Sequence, residues 1–163
     1  LLRFARENAD YILDTSLSST AQLKEKIADL FLSDTSQKLL VSVMSFGFKY
    51  GLPAEADLVF DVRCLPNPFY IAELRDRTGL EKSVRDYVFQ QPQTGGLVTR
   101  LLDLIDYLLP LYREEGKTQL TIAVGCTGGQ HRSVALAEHL YRHLEEAGAR
   151  VICTHRDIHR RQQ

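Results

Sequence analysis

The residues best suited to chemistry lie close together in the sequence LTIAVGCTGGQHRSV, residues 120–134. Cys126 supplies a thiol, Arg132 a charged guanidinium and Ser133 a hydroxyl. Guanidinium and backbone N–H groups are the donors that bind oxyanions in proteins. Three glycines beside the cysteine lack the Cβ atoms that would keep such a ligand away from the backbone: Gly125, Gly128 and Gly129. These residue types predict a binding site for a phosphate-like anion.

The flanking sequence predicts that this segment joins a strand to a helix. Residues 120–124 form a short apolar run bounded by breakers, which is typical of a buried strand in a parallel sheet. From Ser133 onward, apolar residues recur at helical spacing up to Leu144. The first N–H groups of a helix lack intrahelical partners and carry partial positive charge. The junction therefore favours an anion, with His131 and Arg132 as further donors.

Besides an anion site, the residues of this loop are consistent with three other interpretations. A Gly-rich turn also forms simply because a helix must pack closely on a sheet, and a buried cysteine can merely fill space. A cysteine and an arginine separated by five residues also resemble the phosphate loop of cysteine-dependent phosphatases. In that enzyme, Cys126 would be the nucleophile, Arg132 the phosphate clamp and Asp61 the proton donor. An oligomerisation scaffold, the third interpretation, predicts no ligand at the loop.

Three other predicted strands also end in polar residues. Lys49 follows the apolar run 39–44, Asp61 and Arg63 end the run 57–62, and His155 follows the run 149–154. Because ligands of α/β proteins bind at the carboxyl ends of parallel strands, we expect these side chains to share a crevice with the glycine loop. The alternatives are a solvated Lys49 and an ion pair between Asp61 and Arg63.

The end of the chain is basic. Residues 155–163 contain three arginines and two histidines against one acid. His155, Arg156, Arg160 and Arg161 are therefore candidate contacts for RNA phosphates, together with Lys49 and Arg132. A frayed, solvated terminus would explain the same composition.

Composition limits the class of protein. The 163 residues carry a formal net charge of -1, with 44% apolar and 25% charged residues, as in a soluble globular protein. Cys64, Cys126 and Cys153 have no CxxC spacing, so we expect neither a metal site nor disulfides, and a reducing, cytoplasmic setting. No membrane span or signal peptide is predicted. Because the sequence opens with Leu1 and its single methionine is Met44, we expect a fragment of a longer protein.

The predicted fold class is α/β, with a short, mostly parallel sheet, helices on both faces and a phosphate-binding loop at a strand carboxyl end. Residues 1–37 are expected to be the end of a preceding domain plus a linker, and residues 38–163 the main domain. Within the main domain, helices are predicted over 83–90 and after Gly95 and Gly96. The second has a leucine stripe that includes Leu101, Leu104, Leu108 and Leu111, and Pro110 is expected to disturb its end.

Four motifs in combination resemble the carboxyl-terminal domain of the RNase adapter protein RapZ family. They are SFGFK at 45–49, DVR at 61–63 with LPNP at 65–68, GCTGG at 125–129 with HRS at 131–133, and HR at 155–156. The resemblance covers about residues 38–163, and residues 1–37 are similar to the end of that family's kinase-like nucleotide-binding domain. The matching positions for the ligand and RNA site are Lys49, Asp61, Cys126, Thr127, Gly128, His131 and Arg132.

The resemblance implies a cytoplasmic, oligomeric protein that senses an amino-sugar phosphate and binds small regulatory RNA and an RNase partner. It implies no cofactor for this chain and ATP or GTP for the full-length protein, an expected ATPase or GTPase. The chain contains no GxxxxGK[ST] motif of its own. Phe69 and Gln130 stand where the members tied to RNA processing carry histidine and lysine, which weakens the RNA prediction. The predicted ligand site consists of the seven matching positions together with three further residues of the motifs, Arg63, Gly129 and Ser133.

Overall fold

The fold is described from a computed structural model, which describes residues 15, 19, 20, 23, 27 and 39–160. The chain divides into two compact units, Leu1–Gln37 and Lys38–Gln163. In the first unit Thr20, Leu23 and Ile27 are helical, and the Leu23 N–H donates to the Ser19 carbonyl at 2.9 Å. Whether this unit ends a nucleotide-binding domain depends on residues outside the described ones and stays a prediction. Among the described residues, no helix is both long enough and apolar enough to cross a membrane.

The second unit is built on a four-stranded parallel sheet. Its strands are β1 (Leu40–Gly47), β2 (Leu58–Asp61), β3 (Gln119–Cys126) and β4 (Arg150–His155). They are ordered β2-β3-β1-β4, so the two central strands are β3 and β1, and every pairing is parallel. This confirms the predicted α/β class and its parallel sheet. The carboxyl ends of all four strands consequently lie at one edge.

Three helices complete residues 39–160: α1 (Lys82–Phe89), α2 (Pro92–Glu114) and α3 (Arg132–Glu146). They share one apolar core with alternate residues of the central strands, including Val41, Val43, Ile122 and Val124. The other face of the sheet carries Val59 and Ile152, which are 42% and 46% exposed. The three helices of residues 39–160 thus share one core with the central strands.

Helix α2 differs from its prediction at both ends. It begins at Pro92, so Gly95 and Gly96 lie inside its first turns rather than before it, and it continues past Pro110 to Glu114. Proline suits the first turn of a helix because the N–H it lacks would have no intrahelical partner. The buried stripe is also shifted to Thr94, Leu101, Ile105 and Leu109, whereas Leu104 and Leu111 are 43% and 45% exposed.

The strands extend further toward the site than predicted. β1 continues through Phe46 to Gly47, and β3 includes Gly125 and Cys126, which the sequence placed in the loop. The strand requires glycine at position 125, because a Cβ there would lie 2.4 Å from the Phe46 ring. The connection to α3 is therefore the short segment 127–131.

Candidate functional site

Backbone hydrogen bonds join the chain segments at the carboxyl ends of β1, β2 and β3. The Lys49 N–H donates to the Thr127 carbonyl at 3.1 Å, and the Val62 N–H donates to the Gly125 carbonyl at 2.9 Å. The predicted convergence of the segments after β1, β2 and β3 is thus present. It follows from the parallel topology, which places these carboxyl ends side by side.

Glycine backbone forms the centre of this junction. A Cβ on Gly47 would lie 2.7 Å from the carbonyl carbon of Gly128 and 2.9 Å from the nitrogen of Gly129. Gly129 has a φ of +77°, a left-handed backbone conformation that residues other than glycine rarely adopt. The glycines of the loop therefore allow two backbone segments to touch, which is the packing role that the sequence left open.

Arg132 is the first residue of α3, and only 4% of it is exposed. Its Nη1 donates to the carbonyls of Arg63 at 3.0 Å and Leu65 at 2.8 Å, and its Nη2 donates to Thr127 Oγ1 at 3.3 Å. Its Nε is buried without a hydrogen-bond partner. Among residues 39–160 no carboxylate forms an ion pair with this guanidinium. A buried charge in that state is costly, and an anion would neutralise it.

Cys126 lies beside the start of the same helix and is 3% exposed. The Gly129 N–H donates to its Sγ at 3.3 Å, and the Ser133 hydroxyl lies 3.1 Å from that sulfur. Loop and helix start therefore fold around the buried thiol, and Cys126, Gly129 and Ser133 form one contact group. Their roles in ligand binding stay predictions.

Asp61 and Arg63 pair with each other, which the sequence had given as their structural alternative. Arg63 donates to the Asp61 carboxylate from Nε and from Nη2, the latter at 2.6 Å, and its guanidinium lies 4.0 Å from the centre of the Phe48 ring. The hydrogen bonds from Arg63 are the largest cause of the lowered pKa of Asp61, to which the charge of Arg132 also contributes. Asp61 is therefore ionised near neutral pH, which argues against its predicted role as a proton donor.

His131 faces away from the loop that it closes. Its Nε2 lies 3.1 Å from the Arg75 carbonyl, and it is 4% exposed. Burial is the largest cause of the lowered pKa of His131, so the neutral ring donates its Nε2–H to that carbonyl. The structure thus places His131 as a support for the start of α3 rather than in contact with the loop interior.

Arg156 and Arg160 of the basic terminus are paired with one buried acid, Asp157, which has no exposed surface. Its carboxylate accepts hydrogen bonds from the Gly47 N–H at 2.8 Å and from Arg156, and it forms an ion pair with Arg160 at 3.0 Å. Arg156 also donates to the Gly51 carbonyl at 2.7 Å. Much of the positive charge predicted for RNA is therefore balanced locally. Arg161, also predicted to contact RNA, lies outside the described residues.

Two important residues carried no recognised signal in the sequence. Asp157 is the single acid among the arginines of the basic terminus, and that position predicts an ion pair that the sequence analysis does not include. Gly79 packs against the start of α3, where a Cβ would lie 2.3 Å from the His131 carbonyl oxygen. Its N–H donates to the Gln130 carbonyl at 2.8 Å. This contact forms only when the chain folds, so the residues next to Gly79 in the sequence do not predict it.

Comparison with known proteins agrees with the resemblance seen in the motifs. The family model described as the RapZ C-terminal domain matches residues 39–159. A nucleotide-binding protein of Alkaliphilus oremlandii is 50% identical over 157 residues, which cover 96% of this chain and 54% of that protein. Proteins also named nucleotide-binding, from Caldicellulosiruptor saccharolyticus and Bacillus cytotoxicus, are 53% and 51% identical, covering 92% and 99% of this chain and 52% and 55% of theirs. The chain thus spans about half the length of these curated relatives. With a family model matching most of its length, this chain belongs to the RapZ family and carries that family's carboxyl-terminal domain.

Proposed function

We propose that residues 39–160 bind a phosphorylated amino sugar, or a similar phosphate-like anion, at the loop between β3 and α3. The observation that carries this proposal is the guanidinium of Arg132, which is buried, has an unpartnered Nε and pairs with no carboxylate of residues 39–160. It lies at a helix amino terminus, where the macrodipole adds to the positive potential. The Thr127 hydroxyl and the backbone of Gly128 and Gly129 complete the polar surroundings.

The proposal predicts that anions raise the melting temperature of the chain. We would record thermal melts with inorganic phosphate, sulfate, a hexose phosphate and the matching hexosamine phosphate, and expect the last to give the largest shift. Arg132→Gln should abolish the shifts. Arg100→Gln is the matched control, because Arg100 donates to the Gly96 carbonyl on the exposed side of α2, away from the loop. Melting curves of the wild type that none of these anions moves would refute the proposal.

A cysteine-dependent phosphatase is the second candidate, because the Gly129 N–H donates to the Cys126 sulfur and Arg132 begins the helix that follows. One feature counts against it. Asp61, the predicted proton donor, accepts hydrogen bonds from Arg63, which lower its pKa and keep it ionised near neutral pH. We therefore expect no turnover of phosphomonoesters by the wild type. Turnover that Cys126→Ser abolishes, with ligand binding retained, would establish the enzyme instead.

RNA binding is the second part of the proposal, and it is confined to the basic surface around Tyr50. Arg160 lies 4.7 Å from the centre of the Tyr50 ring with its side chain 56% exposed, and Lys49 is also exposed. Arg132 is buried, and His155 uses both ring nitrogens within the fold, so we leave both out of the RNA surface. Arg156 contributes through its charge, reduced by Asp157.

Gel shifts over a salt series test this surface. Lys49→Gln and Arg160→Gln should each weaken binding and reduce the slope of log affinity against log salt by about one unit per lost phosphate contact. Arg113→Gln, on the exposed end of α2, serves as the control. An unchanged slope in both variants would remove these residues from the RNA surface.

For the full-length protein we propose a cytoplasmic oligomer that acts as an RNase adapter and binds and hydrolyses ATP or GTP outside the domain described here. The name of the relatives, which are about twice as long as this chain, supports the nucleotide part. Sedimentation of the full-length protein with its RNase, with and without RNA, would test the adapter role, and nucleotide hydrolysis can be assayed on the same sample.

A further inference from the structure

A second group of reactive side chains lies at the far edge of the sheet from β2. His155 is the last residue of β4, and Cys153 is two residues before it, so both side chains lie on the same face of the strand. That face packs against α3, which contributes Glu138. The three side chains each direct one donor atom to a common point, with all donor atoms within 4.8 Å of one another. We propose that Glu138, Cys153 and His155 bind one divalent cation of the zinc class.

The donor set suits that metal. Zinc prefers thiolate sulfur and imidazole nitrogen and accepts a carboxylate oxygen, and three protein ligands leave a fourth position for water. A tetrahedral zinc ion holds such donor atoms about 3.4 to 3.6 Å apart. His155 Nε2 and Glu138 Oε1 are already 3.2 Å apart. Small side-chain rotations would therefore bring the remaining distances into range.

The surroundings orient the ligands as metal sites do. A metal-bound histidine normally donates its other ring N–H to a neighbouring acceptor, which fixes the ring. The second ring nitrogen of His155, Nδ1, lies 2.8 Å from the Ser45 hydroxyl, which has no exposed surface. Arg142 lies 3.8 Å from Oε2 of Glu138, so Oε1 is the oxygen turned toward His155.

An ion pair between Glu138 and His155 would explain those two residues without a metal. The Cys153 thiol in turn hydrogen-bonds Glu138 and forms no disulfide, so a third metal-binding donor lies beside this pair. Burial raises the pKa of the Cys153 thiol to about 12, so the metal must displace the thiol proton, which passes to solvent as the metal–sulfur bond forms. These three ligands lie outside any CxxC pattern, which is why no metal site was predicted from the sequence. The proposal is independent of the anion site.

Cobalt(II) is the probe for this site, since a thiolate ligand gives it a charge-transfer band in the near ultraviolet. The chelator-treated 163-residue chain should develop this band, saturate at one cobalt per chain and lose the band when zinc is added. Cys153→Ser should abolish the band, and His155→Gln should weaken cobalt binding at least tenfold. Cys64→Ser, which removes an exposed thiol elsewhere, should leave the band unchanged. No band in the wild type, or a full band in Cys153→Ser, would overturn the proposal.

Alkylation of the wild type gives a test that does not depend on whether a variant folds. Iodoacetamide followed by mass spectrometry reports the labelling rate of each cysteine with and without zinc alone. We expect zinc to slow the labelling of Cys153 at least tenfold and to leave that of Cys64 unchanged. Equal labelling rates for Cys153 in the two samples would overturn the site.

Discussion

Replacing Gly47 with alanine should displace the loop between β3 and α3 without altering any side chain proposed to bind the anion. The new Cβ would lie 2.7 Å from the Gly128 carbonyl carbon, whereas ordinary contact begins at 3.4 Å. The loop must therefore retreat by about 0.7 Å, the difference between these distances. The three nearest atoms all belong to the backbone of Gly128 and Gly129, so no side-chain rotation relieves the clash. The hydrogen bond from the Gly47 N–H to Asp157 is available to alanine as well.

Two opposing terms set the size of the effect on stability. Overpacking against a fixed neighbour typically costs about 1–3 kcal/mol. The φ of Gly47 is -108°, which alanine adopts easily, so the substitution also gains about 0.4–1 kcal/mol by restricting the unfolded chain. We expect a net loss of roughly 1–2 kcal/mol from the free energy of unfolding, or about 2–8 °C in melting temperature for a chain of this length.

Gly95→Ala is the matched control. A Cβ at Gly95 meets no atom within 4 Å, and the residue lies within α2. It should therefore stabilise the chain by about 0.5–1 kcal/mol, because alanine favours a helix over glycine. The two variants thus make the same chemical change with opposite expected signs.

Urea unfolding measures the stability of both variants, and titration with phosphate measures their affinity for the anion. We expect Gly47→Ala to lower the denaturation midpoint and to weaken phosphate binding about tenfold, equivalent to about 1.4 kcal/mol. Gly95→Ala should keep the wild-type affinity. If Gly47→Ala is as stable as Gly95→Ala and binds phosphate equally well, then contact between the β1 end and the loop does not govern the site, and the reasoning fails.

Two further predictions concern the start of α3. Gly79→Ala should destabilise the chain by about 1–3 kcal/mol in urea unfolding, because its Cβ would lie 2.3 Å from the His131 carbonyl oxygen and 2.5 Å from the Ala135 nitrogen; a neutral result would contradict this packing. Since burial lowers the pKa of His131 in the folded chain, its contribution to stability is present above the unfolded value of about 6.5 and is lost as the pH falls below it. Melting temperatures between pH 7.5 and pH 5.5 should consequently fall less in His131→Gln than in wild type, and equal slopes would show that the ring titrates freely.

The parallel sheet and the meeting of its strand ends could be predicted because both depend on local patterns. Apolar runs separated by helical segments predict parallel strands, and that topology alone brings Lys49, Asp61 and Cys126 to one edge. The start of α3 was predicted within one residue, at Ser133 instead of Arg132. The pairing of Asp61 with Arg63 was also available from sequence, since residues two apart on a strand lie on the same side.

The partners of Arg132 could not be predicted, because they are backbone carbonyls. Any residue offers a carbonyl, so nothing distinguishes Arg63 and Leu65 in the sequence as acceptors. Helix α2 was misplaced for a related reason. Two adjacent glycines usually end or precede a helix, but here the long apolar segment after them and Pro92 before them outweigh that local preference.

The pairing of β1 with β4 has a consequence for the order in which the protein is made. Ser45 and His155 contact each other across 110 residues, as do Gly47 and Asp157. Closing so long a loop is slow and entropically expensive before other contacts form. During translation, β1 and β3 can pair while Asp157 is still inside the ribosome, but the β1 end receives its carboxylate partner only afterwards. A nascent chain that ends before residue 157 therefore lacks the carboxylate that accepts the hydrogen bond from the Gly47 N–H beside the glycine loop.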